Sequence, residues 1–134
     1  MQSVIVDTVA IVAFFVKSEQ HHLASKEFFE QHPHTHWIIL ETVFNETVTW
    51  LRAKISTEKS IEYGKVLRKK GIFLRLSDEN EAATWEAFCQ YNDKSWSYTD
   101  CSILVMAQNL NVFHVVSFDQ HIRQMAQLGI ICLP

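Results

Sequence analysis

The sequence predicts an α/β fold in which a parallel sheet is covered by helices on both faces. Two observations carry this expectation. Short apolar runs of three to five residues alternate with longer helical segments along all 134 residues. Strands buried on both faces read as continuous apolar runs, because helices cross over each face of a parallel sheet. A hydrophobic content of 48% beside 20% charged residues is that of a folded chain and sets disorder aside. No stretch reads as a linker, a repeat or low complexity. The expectation is one domain over 1–134, long enough to bury about two-thirds of its unfolded surface.

Ser3 to Val6 is the first apolar run, and it stops at Asp7-Thr8. About ten apolar residues follow, ending in Phe14, Phe15 and Val16, as a buried helix requires. A second helix is expected over Gln20 to Gln31, with Leu23, Phe28 and Phe29 at near-helical spacing. Pro33 and the polar HPHTH segment end it. Trp37 to Leu40 reads as the second strand. From Glu41 to Lys54 a helix fits Val43, Phe44, Val48, Trp50 and Leu51, with Ile55 beyond it. Thr57 is the expected cap of the next helix and Gly71 its stop. Ile72 to Leu76 is the third strand. Ser77 caps a helix whose early acids (Asp78, Glu79, Glu81) suit the helix dipole. Thr99 is expected to cap another from Asp100 to Asn109. Val112 to Val116 is the fourth strand, Asp119 to Gln127 a short helix, and Ile130 to Leu133 the last strand.

Several function classes drop out early. No apolar run reaches the roughly 18 residues of a membrane span. The opening MQSVIVDTVAIVAFFVK lacks a basic n-region and is interrupted by Asp7, so it does not read as a signal peptide. Cys89, Cys101 and Cys132 form neither a disulfide framework nor a C-x-x-C pair, which points to a reducing cytoplasm and to three small buried hydrophobes. Seven histidines include His21-His22 and His32, His34 and His36, but no carboxylate or cysteine completes a zinc site around them. The net charge of −3 is unevenly spread. Residues 52–75 carry Arg52, Lys54, Lys59, Lys65, Arg68, Lys69, Lys70 and Arg75 against Glu58 and Glu62, so this segment holds +6 and the rest −9. A basic arm beside an acidic remainder can hold a phosphate backbone near an acidic metal site, or can be a solvated helix face.

The carboxylates carry the chemistry. In open α/β sheets ligands gather outside the carboxyl ends of the strands. Asp7 follows the first strand, and Asp119 follows the fourth after Ser117-Phe118. Asp100 lies in the first turn of a helix, and Glu41 and Glu46 share the helix after the second strand. Position alone does not choose between those two glutamates. Converging carboxylates repel one another unless a cation joins them, and an oxygen-only set selects a hard ion such as Mg²⁺ or Mn²⁺. Such an ion suits phosphodiester hydrolysis.

Four segments resemble the PIN-domain family, particularly the VapC-type toxins of toxin–antitoxin pairs. VIVDTVAIVAFF is similar to the family's opening strand with its Asp-Thr turn. VFNETVTWLRAK is similar to its acidic helix, and that alignment selects Glu46. DKSWSYTDCSILVMAQNLNV and VVSFDQHIRQMAQLGI supply the third and fourth acids, Asp100 and Asp119. The resemblance implies a three-layer α/β sandwich of strand order 3-2-1-4-5. It implies an Mg²⁺- or Mn²⁺-dependent endoribonuclease that leaves a 5′-phosphate and a 3′-hydroxyl. Asp7, Asp100 and Asp119 would be the ligands, with Glu46 acting through water or on the nucleophile. RNA as substrate, a cognate antitoxin, a homodimer and a cytoplasmic location are implied with it. Thr8, Thr99 and Ser117 can orient carboxylates or waters, or simply cap helices.

Lys94 and Arg52 are candidate contacts to substrate phosphate, and exposed cations are the alternative. His121, two residues after Asp119, can approach substrate or sit on the surface. Trp96 and Tyr98 can stack on bases or cover the core. Phe14, Phe15, Phe28 and Phe29 exceed what one core can take, which would suit a dimer or an antitoxin segment in a groove. A non-catalytic PIN-fold binding module is the competing function. An Asp-nucleophile phosphatase is disfavoured because Val9 stands where a second Asp is needed, and nucleotide-cofactor folds because no Gly-rich turn occurs.

Overall fold

The computed structural model describes Met1–Pro134. The chain runs β1 (Ser3–Val6), α1 (Thr8–Phe15), α2 (His22–Gln31), β2 (His36–Leu40), α3 (Glu41–Lys54), α4 (Thr57–Lys70) and β3 (Ile72–Leu74). It continues through α5 (Asp78–Gln90), α6 (Tyr98–Leu110), β4 (His114–Val116), α7 (Gln120–Arg123), a 3₁₀ turn (Gln124–Leu128) and β5 (Ile131–Leu133). All five strands are parallel, in the order β3-β2-β1-β4-β5, which is the expected order. Val4, Ile5 and Val6 on the central strand are all fully buried. Successive strand residues face opposite sides, so both faces of the sheet are covered and the three-layer arrangement follows. No helix is long and apolar enough to cross a membrane.

The pairing that positions the site is β1 with β4, Ile5 opposite Val115 and Val6 opposite Val116. It extends one step further, because the Asp7 amide donates to the Val116 carbonyl at 3.0 Å. The carboxyl ends of the two strands therefore lie side by side.

Element boundaries depart from the sequence expectation in ways that local chemistry explains. Ser56, not Thr57, caps α4, its hydroxyl accepting from the Lys59 amide at 3.0 Å. Ser77 caps α5 as expected. Ser97 caps α6, which begins at Tyr98 and takes Thr99 inside its first turn. Strands β3, β4 and β5 are three residues each. Leu110 ends α6, Asn111 takes a left-handed conformation at φ 56°, and the Val112 amide still bonds to Ala107. Only from His114 is the chain extended enough to pair. Leu23 is 78% exposed, because the buried face of α2 is Ser25, Phe28 and Phe29, spaced i, i+3, i+4 and rotated away from Leu23. Ser25 is accommodated by donating to the Ala10 carbonyl at 2.8 Å.

The phenylalanine surplus is largely absorbed within the chain. Phe28 and Phe29 are core residues. Phe14 meets Phe29 and Trp37 edge to face, and Phe15 stacks on Tyr63 at 4.4 Å. Trp96 is buried, its indole N–H donating to Gln124 Oε1 at 2.8 Å, so it belongs to the core. Of the three free cysteines, Cys101 is buried, Cys132 half-buried and Cys89 exposed, so Cys89 is not the small core residue expected.

Gly71, between α4 and β3, is fixed by close packing against β2 and the last turn of α4. A Cβ there would stand 2.8 Å from both Ile39 Cγ1 and the Leu67 carbonyl oxygen, and the carbonyl belongs to the helix backbone and cannot swing aside. Gly71→Ala is therefore expected to lower stability by about 1–3 kcal/mol, measured by denaturant unfolding. A neutral or stabilising result would mean that α4 is free to move off the sheet.

Candidate active site

Asp7 is the last residue before α1 and caps it, Oδ1 accepting from the Thr8 amide at 2.8 Å. Its other oxygen, Oδ2, accepts from the Ser117 hydroxyl at 2.8 Å. Ser117 is fully buried just past β4, and the same hydroxyl accepts from the Asp119 amide at 3.0 Å. Asp119 then caps α7, taking the His121 amide on Oδ1 at 2.9 Å. One hydroxyl thus links the acid after β1 to the acid after β4.

Asp100 arrives from α6. The sequence Ser97-Tyr98-Thr99-Asp100 forms a reciprocal box. Ser97 Oγ accepts from the Asp100 amide at 3.0 Å, and Asp100 Oδ2 accepts from the Ser97 amide at 2.9 Å. This fixes the carboxylate at the start of the helix. His121 Nδ1 lies 3.1 Å from Asp100 Oδ2 and 3.7 Å from Asp119 Oδ1.

Asp7 is 3% exposed and Asp100 5%. Burial pushes the Asp7 carboxyl up from 3.8 to about 6, against the lowering by the Ser117 and Thr8 hydrogen bonds, and the charges of Asp100 and Asp119 raise it further. Three carboxylates therefore share one edge of the sheet, Asp7 and Asp100 buried and Asp119 half-buried. No lysine or arginine forms an ion pair with them. Protein donors engage only Oδ2 of Asp100 and only Oδ1 of Asp119, which leaves Asp100 Oδ1 and Asp119 Oδ2 without a protein donor. Clustered carboxylates with free oxygens fit a hard divalent cation.

Glu46 approaches from α3. It is exposed on the helix, and its Oε1 accepts from the Thr8 hydroxyl at 3.1 Å, next to Asp7. Glu41 is turned elsewhere, accepting from Arg75 Nε at 2.7 Å. The alternative that spacing left open is thus separated by an ion pair. The helices carrying Glu46 and Asp100 are tied together, since Thr42 and Ser102 hydroxyls meet at 2.7 Å and Ser102 donates to the Thr99 carbonyl at 2.6 Å. Thr42 lies one turn before Glu46, on the same side of α3.

Of the three hydroxyl residues expected beside the acids, Thr8 and Ser117 bond to them directly. Thr99 does not cap α6, and the hydroxyl that holds Asp100 is that of Ser97. The S-x-x-D pattern was the available signal for Ser97. His121 stands within the cluster, not on an unrelated surface. Lys94 lies in the turn between α5 and α6, 3.8 Å from Asp93, and makes no ion pair with the four acids. Arg52 lies on the wall of a cleft of about 530 Å³ between α3 and α4, together with Lys65 and Arg68. Tyr98 donates to Glu81 at 2.6 Å on the outer side of α6.

The PIN-domain family profile matches residues 4–128. The chain is a PIN domain. Among solved structures, this PIN domain is similar to the Mycobacterium tuberculosis toxin VapC20, described as cleaving the sarcin–ricin loop. The TM-score is 0.84 at 16% identity, covering 96% of each chain. It is also similar to VapBC2 from Rickettsia felis, solved bound to a DNA fragment from its promoter. There the TM-score is 0.70 at 12% identity, covering 98% of this chain and 97% of that one. At these identities the likeness is one of fold. No curated protein sequence matches this chain significantly.

The buried acid edge makes the metal-free domain sensitive to pH. In the unfolded chain Asp7 titrates near 3.8, and in the fold at about 6, so the folded state holds the proton more tightly. This contribution favours the fold fully at low pH and is lost as pH rises from about 4 through 6, a loss of about 3 kcal/mol. Chelator-treated wild type should therefore lose stability over that range relative to Asp7→Asn, whose amide does not titrate. Parallel pH profiles of the two proteins in denaturant unfolding would contradict the assignment.

Proposed function

We propose that this PIN domain is a metal-dependent endoribonuclease, the toxin of a type II toxin–antitoxin pair. The observation that carries the proposal is the convergence of buried Asp7 and Asp100 with half-buried Asp119 at one edge of the sheet, without a lysine or arginine partner and with Glu46 joined through Thr8. Asp7, Asp100 and Asp119 would hold Mg²⁺ or Mn²⁺, the first two from buried positions that leave little freedom to rearrange. A bound ion of this kind polarises a phosphodiester and makes an adjacent water more acidic.

The residues of the chain do the rest. Glu46, exposed and anchored at one oxygen by Thr8, accepts a proton from the attacking water. Ser117 and Ser97 keep the Asp7 and Asp100 carboxylates from turning. Water oxygen bonds to phosphorus, the bond from phosphorus to the 3′-oxygen breaks, and that oxygen takes a proton. The products are a 5′-phosphate and a 3′-hydroxyl.

RNA as the substrate is supported by the family and by the described activity of VapC20. It is supported also by the basic cleft, since Thr49 and Ala53 line both that cleft and the groove holding Thr8 and Glu46. A strand lying over Arg52, Lys65 and Arg68 would lead to the acids. The Rickettsia felis VapBC2 complex supports a cognate antitoxin partner, and a homodimer and a cytoplasmic setting belong to this reading through the family resemblance alone.

Cleavage of RNA in Mg²⁺ or Mn²⁺ should fall at least about 100-fold in Asp7→Asn and in Asp100→Asn, roughly 3 kcal/mol of barrier. Undiminished cleavage in either variant would remove these residues from the site. Arg52→Glu combined with Lys65→Glu should weaken RNA binding and flatten its salt dependence while leaving kcat nearly unchanged. A fall in kcat with no change in binding would place the RNA elsewhere.

A further inference from the structure

We infer that His121 is a direct ligand in this centre, and that its nitrogen turns the site's preference from Mg²⁺ towards Mn²⁺. The inference rests on the metal-dependent reading above and names the ion that reading takes. It starts from position. His121 lies in the short helix α7 directly after its Asp119 cap, and its own amide is held by Asp119 Oδ1 at 2.9 Å. The backbone bond sets the ring beside both carboxylates, with Nδ1 3.1 Å from Asp100 Oδ2 and 3.7 Å from Asp119 Oδ1.

The spacing of the donors is close to that of one coordination shell. One donor atom from each of Asp100, Asp119 and His121 lies within 4.8 Å of the other two. Around an octahedral ion with bonds of about 2.1 Å, neighbouring donors stand about 3.0 Å apart and opposite ones about 4.2 Å. The three groups need only small side-chain adjustments to share an ion. Asp100 and Asp119 each also keep an oxygen that no protein donor engages, so the histidine does not use up the acids' capacity.

The chemical consequence follows from donor type. Mg²⁺ is hard, prefers oxygen and gains little from an imidazole. Affinity for mixed nitrogen and oxygen sites rises along the first transition row from Mn²⁺ onward. A site of carboxylates alone treats Mg²⁺ and Mn²⁺ more nearly alike than one with a nitrogen ligand. The other role open to the ring is to donate its Nδ1–H to Asp100 and so orient that carboxylate. An orienting histidine would affect both ions equally, and a ligand would not.

Pulsed electron paramagnetic resonance on the intact chain with one equivalent of Mn²⁺ reads the nitrogen directly. Wild type should show modulation from a bound ¹⁴N, and His121→Ala should lose it. In calorimetric titrations the same substitution should weaken Mn²⁺ at least about tenfold and Mg²⁺ less than about threefold. Three results would overturn the inference: no nitrogen coupling in wild type, coupling that survives in His121→Ala, or equal weakening of both ions. Wild type that binds neither ion would overturn the metal-dependent reading as well, so the two failures are told apart. If His121→Ala folds poorly, His121→Gln, which keeps a polar side chain without the imidazole, serves the same comparison and should likewise lose the coupling.

Discussion

The structure depends on keeping carboxylates in a place where carboxylates are costly. The edge where β1 and β4 end is buried, and Asp7 sits in it at 3% exposure with the charges of Asp100 and Asp119 close enough to raise its proton affinity. An ionised acid in such a site is tolerated only when hydrogen bonds or a cation compensate for lost water. The Ser117 hydroxyl and the Thr8 amide supply the hydrogen bonds. What they leave uncompensated is a concentrated negative potential at the strand ends. That is the physical property a phosphodiester-cleaving metal site requires.

Much of this arrangement was legible in the sequence, because strand ends are visible as the points where apolar runs stop. Asp7 and Asp119 were found that way, and the parallel sheet follows from the apolar runs themselves. What was not legible depended on side chains far apart in sequence. Glu41 and Glu46 stand on one helix, and what distinguishes them in space is the Arg75 ion pair on Glu41 and the Thr8 hydroxyl on Glu46. Thr99 precedes Asp100 and looks like a cap. The helix begins two residues earlier than that pattern suggests, however, and Ser97 three residues before Asp100 closes the reciprocal box. Leu23 misled by being apolar at nearly the right spacing, where the buried position went to a hydrogen-bonded serine. Strands β4 and β5 begin only after the left-handed Asn111 and Gly129, and β3 stops at Leu74 where its partner β2 stops at Leu40, neither of which a local apolar run records.

The uneven charge of the chain also resolves into separate parts. Several cations of the 52–75 segment have local employment: Arg68 and Arg75 lie over the Phe73 ring, Lys59 pairs with Glu62, and Arg68, Lys69 and Lys70 occupy the last turn of α4, where the helix dipole favours positive charge. The segment is thus partly structural. Arg52 and Lys65 face each other's helices across the α3–α4 cleft, whose wall at Thr49 and Ala53 is shared with the groove at Glu46.

Three of the acids hold up helices as well as crowding the site. Asp7 and Asp119 are caps of α1 and α7, and Asp100 is the third residue of α6, within its box. Asparagine caps a helix about as well as aspartate, whereas alanine gives up on the order of 1 kcal/mol. A lineage drifting away from catalysis would therefore lose its charges before its caps, passing first through asparagine at Asp7 and Asp119. Inactive descendants of this fold would be recognised by amides standing where the acids stood, on a scaffold otherwise intact.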